Sequence, residues 1–284
     1  MPPFATTFLF TPAHDARKVS GALASSADAV ILDLEDSVPP AQKAEARAAI
    51  AALVASHPAD PSTEIWVRVN AAGPDFDADV SELPVSLLAG VVLPKAEDPA
   101  RIEALAAAGA KRVLLLVESA AGLHDLERLA RASPIVERVA IGTFDLALDL
   151  RLLAVDDPDQ SELMWHIRSQ IVIESRRLGL GPPVDGVYGR PSDEEGLRTA
   201  CARAHRMGFA AKLLIHPKQI AVTRAEFGIA PNDLAEAKRI VAAYGQALAS
   251  GIGAITVNGR LVDRPVFERA RVLLDLAGEM NRGE

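Results

Sequence analysis

Cysteine is almost absent. The one present, Cys201, excludes an internal disulfide and any cysteine-cluster metal site. No apolar run reaches the roughly 18 residues needed to cross a bilayer, so no membrane partner is expected. The first residues, MPPFATTFLF, lack a basic segment leading into a cleavable apolar stretch. Secretion is therefore not expected, and the cytoplasm is the expected compartment. Positive charge is not in excess: 30 Lys and Arg stand against 38 Asp and Glu, a net charge of −8. That balance disfavours nucleic acid, which rewards a basic face. It does not exclude a small anionic substrate, because one local arginine outweighs the average field. No Gly-x-Gly-x-x-Gly follows the first strand-like run, and there is no P-loop or Gly-x-Ser-x-Gly elbow. Nucleotide-binding and common hydrolase readings therefore lack support.

What is present is a globular composition, 49% hydrophobic and 24% charged, in a chain of 284 residues. That length buries a core without staples. Eight short, mostly continuous apolar runs read as strands buried on both faces: 7–11, 29–34, 64–69, 90–94, 112–117, 138–142, 184–188 and 212–215. Helical patterns fill the gaps at 15–25, 41–55, 98–108, 122–130, 160–178 and 192–207. Asp98-Pro99 predicts an N-cap with proline at N1, Gly208 a C-cap, and Ser192 to Glu195 a capping box. Eight such alternations predict a (β/α)8 TIM barrel over residues 1–225. Residues 226–284 are surplus to it. They read as a helix over 231–250 opened by Asn232 or Asp233, a hairpin turning at Asn258-Gly259, and a helix over 264–278.

In such a barrel the carboxyl ends of the strands face the active site. Reading them in order gives Glu35 and Asp36, Arg68 and Asn70, Lys95, Glu118, Asp145, Asp185 and His216. Glu118 and Asp145 end neighbouring strands. They suit a divalent ion completed by substrate oxygens and water, and equally suit helix capping or pairing with arginine. Arg68 suits capture of a carboxylate or keto oxygen, and equally an ion pair with Glu35 or Glu118; the two roles can hold together. Lys95 is read as balancing the rim carboxylates in preference to orienting Glu118 or substrate. His216 is read as a loop-orienting residue, and Cys201 as inert core.

ADAVILDLEDSVPPAQKAEAR, VRVNAAG, GVVLPKAED, LLLVESAAGL, IGTFDLALDL, KLLIHPKQI and GRLVDRPVFERA occur in that order. Together they resemble the HpcH/HpaI aldolase–citrate lyase family, closest to its citrate lyase β-subunit-like branch. The resemblance implies a TIM barrel assembled as a homotrimer or hexamer, with Mg²⁺ (or Mn²⁺) at the strand ends. It implies lyase chemistry: cleavage or formation of a carbon–carbon bond between an acyl-CoA thioester and a 2-keto acid, as in citryl-, malyl- or citramalyl-CoA. Carried over by motif, Glu118 and Asp145 match the metal ligands and Arg68 the substrate-binding arginine. Glu35 and Asp36 match an acidic pair near the metal, and Arg17 a basic position that contacts CoA phosphate. Asp263 matches an acid that related acyl-CoA lyases supply from a neighbouring subunit. The extension would then be a lid on the next barrel, with Val257, Leu261, Val262, Val266 and Phe267 in contact. The reading from pattern alone makes Asp263 the cap of the helix near Pro265.

Two departures stand out. The first loop reads TPAHDARKV where many relatives have Pro-Gly followed by Pro-Glu-Arg, and Gly189 and Arg190 stand where many carry acids. Two other functions compete. A class II pyruvate-type aldolase is disfavoured because Ser37, not histidine, follows Asp36. A non-catalytic subunit that binds an acyl carrier is disfavoured by the intact set Arg68, Glu118, Asp145 and Asp263.

Overall fold

The structure, a computed structural model, describes residues 5–56, 63–153, 157, 159 and 161–278. They divide into two compact units, one spanning 6–227 and the other comprising Ala5 and the residues from Gly228 onward. In the first unit eight parallel strands close into a barrel: β1 (Thr7–Pro12), β2 (Ala29–Asp33), β3 (Glu64–Arg68), β4 (Gly90–Leu93), β5 (Val113–Val117), β6 (Val136–Ile141), β7 (Val184–Asp185) and β8 (Ala211–Leu214). Each pairs with the next, and β8 returns to β1 through Phe8↔Leu213 and Leu9↔Leu214.

The sequence reasons are local. The strand runs are continuous apolar stretches because one face lines the barrel and the other meets the helices. Phe8 and Trp66 meet edge to face with centroids 5.6 Å apart. Gly90 opens β4 where a Cβ would lie 2.2 Å from the Trp66 ring, so only glycine lets the ring stay there. Helices return each strand to the next. Asp98 caps the helix Pro99–Ala107 by accepting from Ala100 N at 3.0 Å, and Gly208 ends the helix Glu194–Met207 at φ +108°.

Several expectations are corrected. The run 184–188 forms a ladder only over Val184–Asp185; further on, the Tyr188 carbonyl is taken by the Gln219 side chain at 2.9 Å. Asp193, not Ser192, caps the following helix, accepting from Gly196 N at 2.9 Å. The helix expected over 122–130 is broken at Asp125 into Ala120–His124 and Leu126–Ala130. The helix expected from Gln160 begins at Glu162 behind a Ser161 cap, and Gln160 lies outside the described residues. Helices at Gly73–Glu82, Thr143–Asp149 and Gln219–Phe227 lie outside the helical spans expected from the sequence.

In the second unit the helix Pro231–Ala249 starts behind Ala230, with Asn232 and Asp233 inside its first turn rather than capping it. β9 (Ile255–Val257) and β10 (Arg260–Val262) pair antiparallel across Asn258 at φ +50° and Gly259 at φ +75°, the left-handed pair a two-residue hairpin needs. The helix Arg264–Leu276 closes the unit. Ala237, Ala270 and Leu274 form its small core, and Tyr244 stacks on Phe267 at 4.9 Å. Of the residues expected to face a neighbour, Val262 is already buried and Phe267 is engaged by Tyr244, whereas Leu261 is exposed. Among the described residues no helix is long and apolar enough to cross a membrane.

Candidate active site

The carboxyl ends of β2 to β6 gather one connected charge network. Asp33 ends β2 and Arg68 ends β3, and the two are register partners. Arg68 Nε donates to Asp33 Oδ1 at 2.6 Å and Nη2 donates to Oδ2 at 2.7 Å. The backbone N–H groups of Glu35 and Ser37 also donate to Asp33, at 3.0 and 3.2 Å. Burial acts to raise the Asp33 carboxyl, but the Arg68 bonds and charge outweigh it and hold it below its ordinary value. The Arg68 guanidinium also lies 4.9 Å from the centre of the Phe10 ring.

Two residues further on, buried Glu35 lies between two cations. Its Oε2 is 2.9 Å from Arg68 Nη1, a charge contact poorly aligned for hydrogen bonding, and it accepts no hydrogen bond. Its Oε1 accepts from Lys95 Nζ at 2.6 Å. Burial raises the Glu35 carboxyl, aided by the neighbouring Asp36 charge and opposed by Arg68 and Lys95. Asp36 is exposed, with Oδ1 3.5 Å from Lys95 Nζ.

Lys95 ties this pair to the next carboxylate. Its backbone has φ +44°, a left-handed conformation unusual for a residue with a side chain, and its N–H donates to Glu118 Oε2 at 2.8 Å. Glu118 follows β5 and is 5% exposed. Burial, then the charges of Glu35 and Asp145, push its carboxyl up to about 8. Gly142, at the end of neighbouring β6, makes room for it: a Cβ there would lie 2.3 Å from Glu118 Cγ and 2.5 Å from Oε1. Asp145 is half-buried in the first turn of the helix Thr143–Asp149.

Glu118 and Asp145 line two cavities at once. The inner one, about 320 Å³, is walled by Phe10, Arg68, Leu116, Ile141, Val187 and Leu213 among others. The outer one, about 650 Å³, is lined by Ala71, Lys95, Glu97, Arg101, Ser119 and Leu148 among others. Among the described residues, no group of three or more His, Cys, Asp or Glu side chains could hold an ion. A site at Glu118 and Asp145 would thus have two hard carboxylate ligands and take its other oxygens from water or substrate, which fits Mg²⁺. The space left by Gly142 and the mutual repulsion around Glu118 fit a cation there as well.

Glu35, Asp36, Arg68, Lys95, Glu118 and Asp145 therefore come together as a linked set. Others do not join it. Arg17 is exposed in the first turn of the helix Ala16–Leu23 and lines neither cavity. Asp185 is buried behind β7, held by Lys212 Nζ at 2.5 Å and Arg168 Nε at 2.7 Å, which corrects its place on the rim. Asn70 belongs to another cluster, donating from Nδ2 to Asp79 at 2.7 Å. His216 Nδ1 accepts from Lys218 N at 3.0 Å and so orients its loop. In the second unit Asp263 caps its helix, accepting from Val266 N at 3.3 Å. Asp33 was missed by sequence reasoning. The available signal was an ionisable residue inside the otherwise apolar run AVILDL.

Fold and mouth define a (β/α)8-barrel protein with an acidic, arginine-bearing site at the carboxyl ends of its strands. The pattern of the HpcH/HpaI aldolase/citrate lyase family matches residues 6–217, and the chain belongs to that family. It is 33% identical to an L-malyl-CoA/beta-methylmalyl-CoA lyase of Rhodobacter capsulatus, over 88% of this chain and 87% of that protein. It is similar to the crystal structure of CitE from Mycobacterium tuberculosis in complex with magnesium, acetoacetate and coenzyme A. That match has a TM-score of 0.79 and 34% identity, over 98% of this chain and 100% of that one. A citrate lyase beta subunit from M. tuberculosis complexed with oxaloacetate and magnesium is similar at TM-score 0.68 and 31% identity, over 80% of this chain and 98% of that one.

Proposed function

We propose that this chain is a Mg²⁺-dependent carbon–carbon lyase acting on a 3-hydroxyacyl-CoA thioester such as citryl-, malyl- or citramalyl-CoA. It would yield an acyl-CoA and a 2-keto acid, or condense them. The observation that carries this reading is the pair of cavities meeting at Glu118 and Asp145: the inner suits a keto acid, the outer a thioester arm. The relatives named above support it, since the M. tuberculosis structures hold magnesium with acetoacetate and coenzyme A, or with oxaloacetate.

Glu118 and Asp145 would hold the ion. When bound, Mg²⁺ supplies positive charge that acidifies the substrate hydroxyl and stabilises the keto acid that forms. Arg68 compensates negative charge on the same oxygens through its Nη groups, while Asp33 fixes its orientation. Glu35 and Asp36 act through Arg68 and Lys95 and through water near the ion. In cleavage the hydroxyl passes its proton to solvent water, its oxygen becomes the keto oxygen as the adjoining carbon–carbon bond breaks, and the electron pair of that bond passes into the thioester enolate. Asp263 of a neighbouring subunit would then protonate the enolate carbon, and in condensation would remove that proton. Arg17, exposed on the helix leaving β1, is the proposed contact for CoA phosphate. A homotrimer or hexamer, with residues 226–284 as the inter-subunit lid, follows from the same reading.

The test is turnover by the isolated full-length chain. With Mg²⁺ and free CoA thioesters, keto-acid release should be measurable and should stop on chelation. No release from any of the three thioesters rejects the reading in favour of a non-catalytic carrier-binding subunit.

A further inference from the structure

The inner cavity has a charge pattern that selects among keto acids. Among the described residues that line it, Arg68 is the single cation, against the three carboxylates of Asp33, Glu118 and Asp145. The Nε and Nη2 edge of Arg68 is already closed by Asp33, and Nη1 lies against Glu35. Only the outward hydrogens of the two Nη groups remain for a ligand, room for one carboxylate. Lys95 offers no second anchor inside, because its Nζ is bonded to Glu35 and it lines the outer cavity instead. The other walls are apolar: Phe10, Leu116, Ile141, Val187 and Leu213, with Ile215 at the rim. The hydroxyls of Thr11, Ser37 and Thr143 give neutral contacts alone.

We infer that the keto acid taken by this site carries one carboxylate and a short uncharged substituent, as in pyruvate or 2-oxobutanoate, rather than the second carboxylate of oxaloacetate. The inference rests on the lyase reading for its place in catalysis. A divalent ion held by Glu118 and Asp145 would offset the −2 of the fully ionised lining, three carboxylates against Arg68, and Arg68 would pair with the single carboxylate. The substituent then meets the apolar wall. A second carboxylate would have to lie on that wall, or beside a third acid, with no cation to pair with.

The experiment measures binding and turnover separately in the full-length chain with Mg²⁺. Calorimetric titration should give a dissociation constant for pyruvate or 2-oxobutanoate at least about 10-fold below that for fresh oxaloacetate, the discrimination expected when a site leaves a polar group unpaired. Citramalyl-CoA should be cleaved with a kcat/KM correspondingly above that of citryl-CoA. Val187→Lys, which places a cation on the apolar wall, should narrow the binding gap. Oxaloacetate binding as tightly as pyruvate overturns the inference, as does failure of any keto acid to bind. A folded Val187→Lys variant with an unchanged ratio also counts against it. Preferred cleavage of citryl-CoA overturns the inference and leaves the lyase reading standing. The binding preference without cleavage of any thioester supports the pocket assignment and rejects the lyase reading.

Discussion

Arg68 and Asp33 face one another as register partners on adjacent strands, joined by hydrogen bonds of 2.6 and 2.7 Å. The arginine is thus locked by one acid before any ligand arrives. Asp33→Asn removes the charge that balances a nearly buried guanidinium, and breaking such a pair costs about 3–5 kcal/mol. Urea denaturation should show that loss. Arg68→Lys keeps a positive charge but cannot make the paired bonds to Asp33, so kcat/KM should fall by about 100-fold. Near wild-type kcat/KM in Arg68→Lys would remove Arg68 from the substrate site.

The metal assignment is tested by Glu118→Gln and Asp145→Asn. Each removes half of the protein charge offered to the ion, and each should abolish measurable Mg²⁺ binding by calorimetry. The fold should tolerate Glu118→Gln near pH 7. Burial and the charges of Glu35 and Asp145 push the carboxyl up to about 8, so it is already largely protonated without metal. Unchanged Mg²⁺ affinity in both variants would sink the assignment.

Lys95 combines a left-handed backbone with two bonds to acids, N–H to Glu118 and Nζ to Glu35. The two roles separate by substitution. Lys95→Ala and Lys95→Gly both delete the ammonium, while glycine adopts φ +44° without the penalty of a Cβ. The glycine variant should therefore be more stable than the alanine variant by about 1 kcal/mol, with both impaired in turnover. Equal melting temperatures would mean that the conformation carries no strain.

Much of this architecture was legible because the barrel strands are buried on both faces, and a run such as VLLLV has few other readings. The hairpin was legible because Asn-Gly is the pair that tolerates the required backbone. Facing was harder. Asp185 and Glu118 both sit at strand ends, yet one turns to Arg168 behind the sheet and the other into the mouth. β7 is too short for its alternation to tell which. Asp33 was hidden because LDLED offers three acids within four residues, and sequence alone does not say which of them pairs with Arg68. The left-handed turn at Lys95 has no sequence signature at all.

At the opposite end of the barrel, Asp28 holds the start of β1 to β2. Its Oδ2 accepts from Thr6 N, Thr6 Oγ1, Thr7 N and Thr7 Oγ1 at 2.7–3.0 Å, and its Oδ1 accepts from Arg224 at 2.6 Å. Burial opposes ionisation, but the Thr6, Thr7 and Arg224 bonds outweigh it and depress the carboxyl below 3.8. The stabilisation from ionised Asp28 is therefore present above the unfolded value and lost as pH falls through the lower folded one. Asp28→Asn should cost about 1–3 kcal/mol at pH 7 and flatten the acid limb of the stability profile. An acid limb as steep as wild type would show that other carboxylates control it.

Asp263 carries the most consequential prediction. In its own chain it caps the helix Arg264–Leu276, which accounts for Oδ1. A cap alone does not explain why the hairpin before it leaves Leu261 66% exposed, with Ile252 and Leu248 exposed nearby in sequence. Cover of these side chains by another subunit is what the shared-site reading expects. If that cover closes a neighbouring barrel, Asp263→Ala and Glu118→Gln damage different halves of one shared site. Each variant alone should be inactive. Mixed oligomers formed by subunit exchange should then regain activity, because some sites pair an intact Glu118 with an intact Asp263 from the next subunit. If Asp263 serves only its own chain, every subunit in the mixture keeps a defect. Exchange confirmed by mass spectrometry with no recovered turnover would reject the shared site and leave Asp263 as a helix cap.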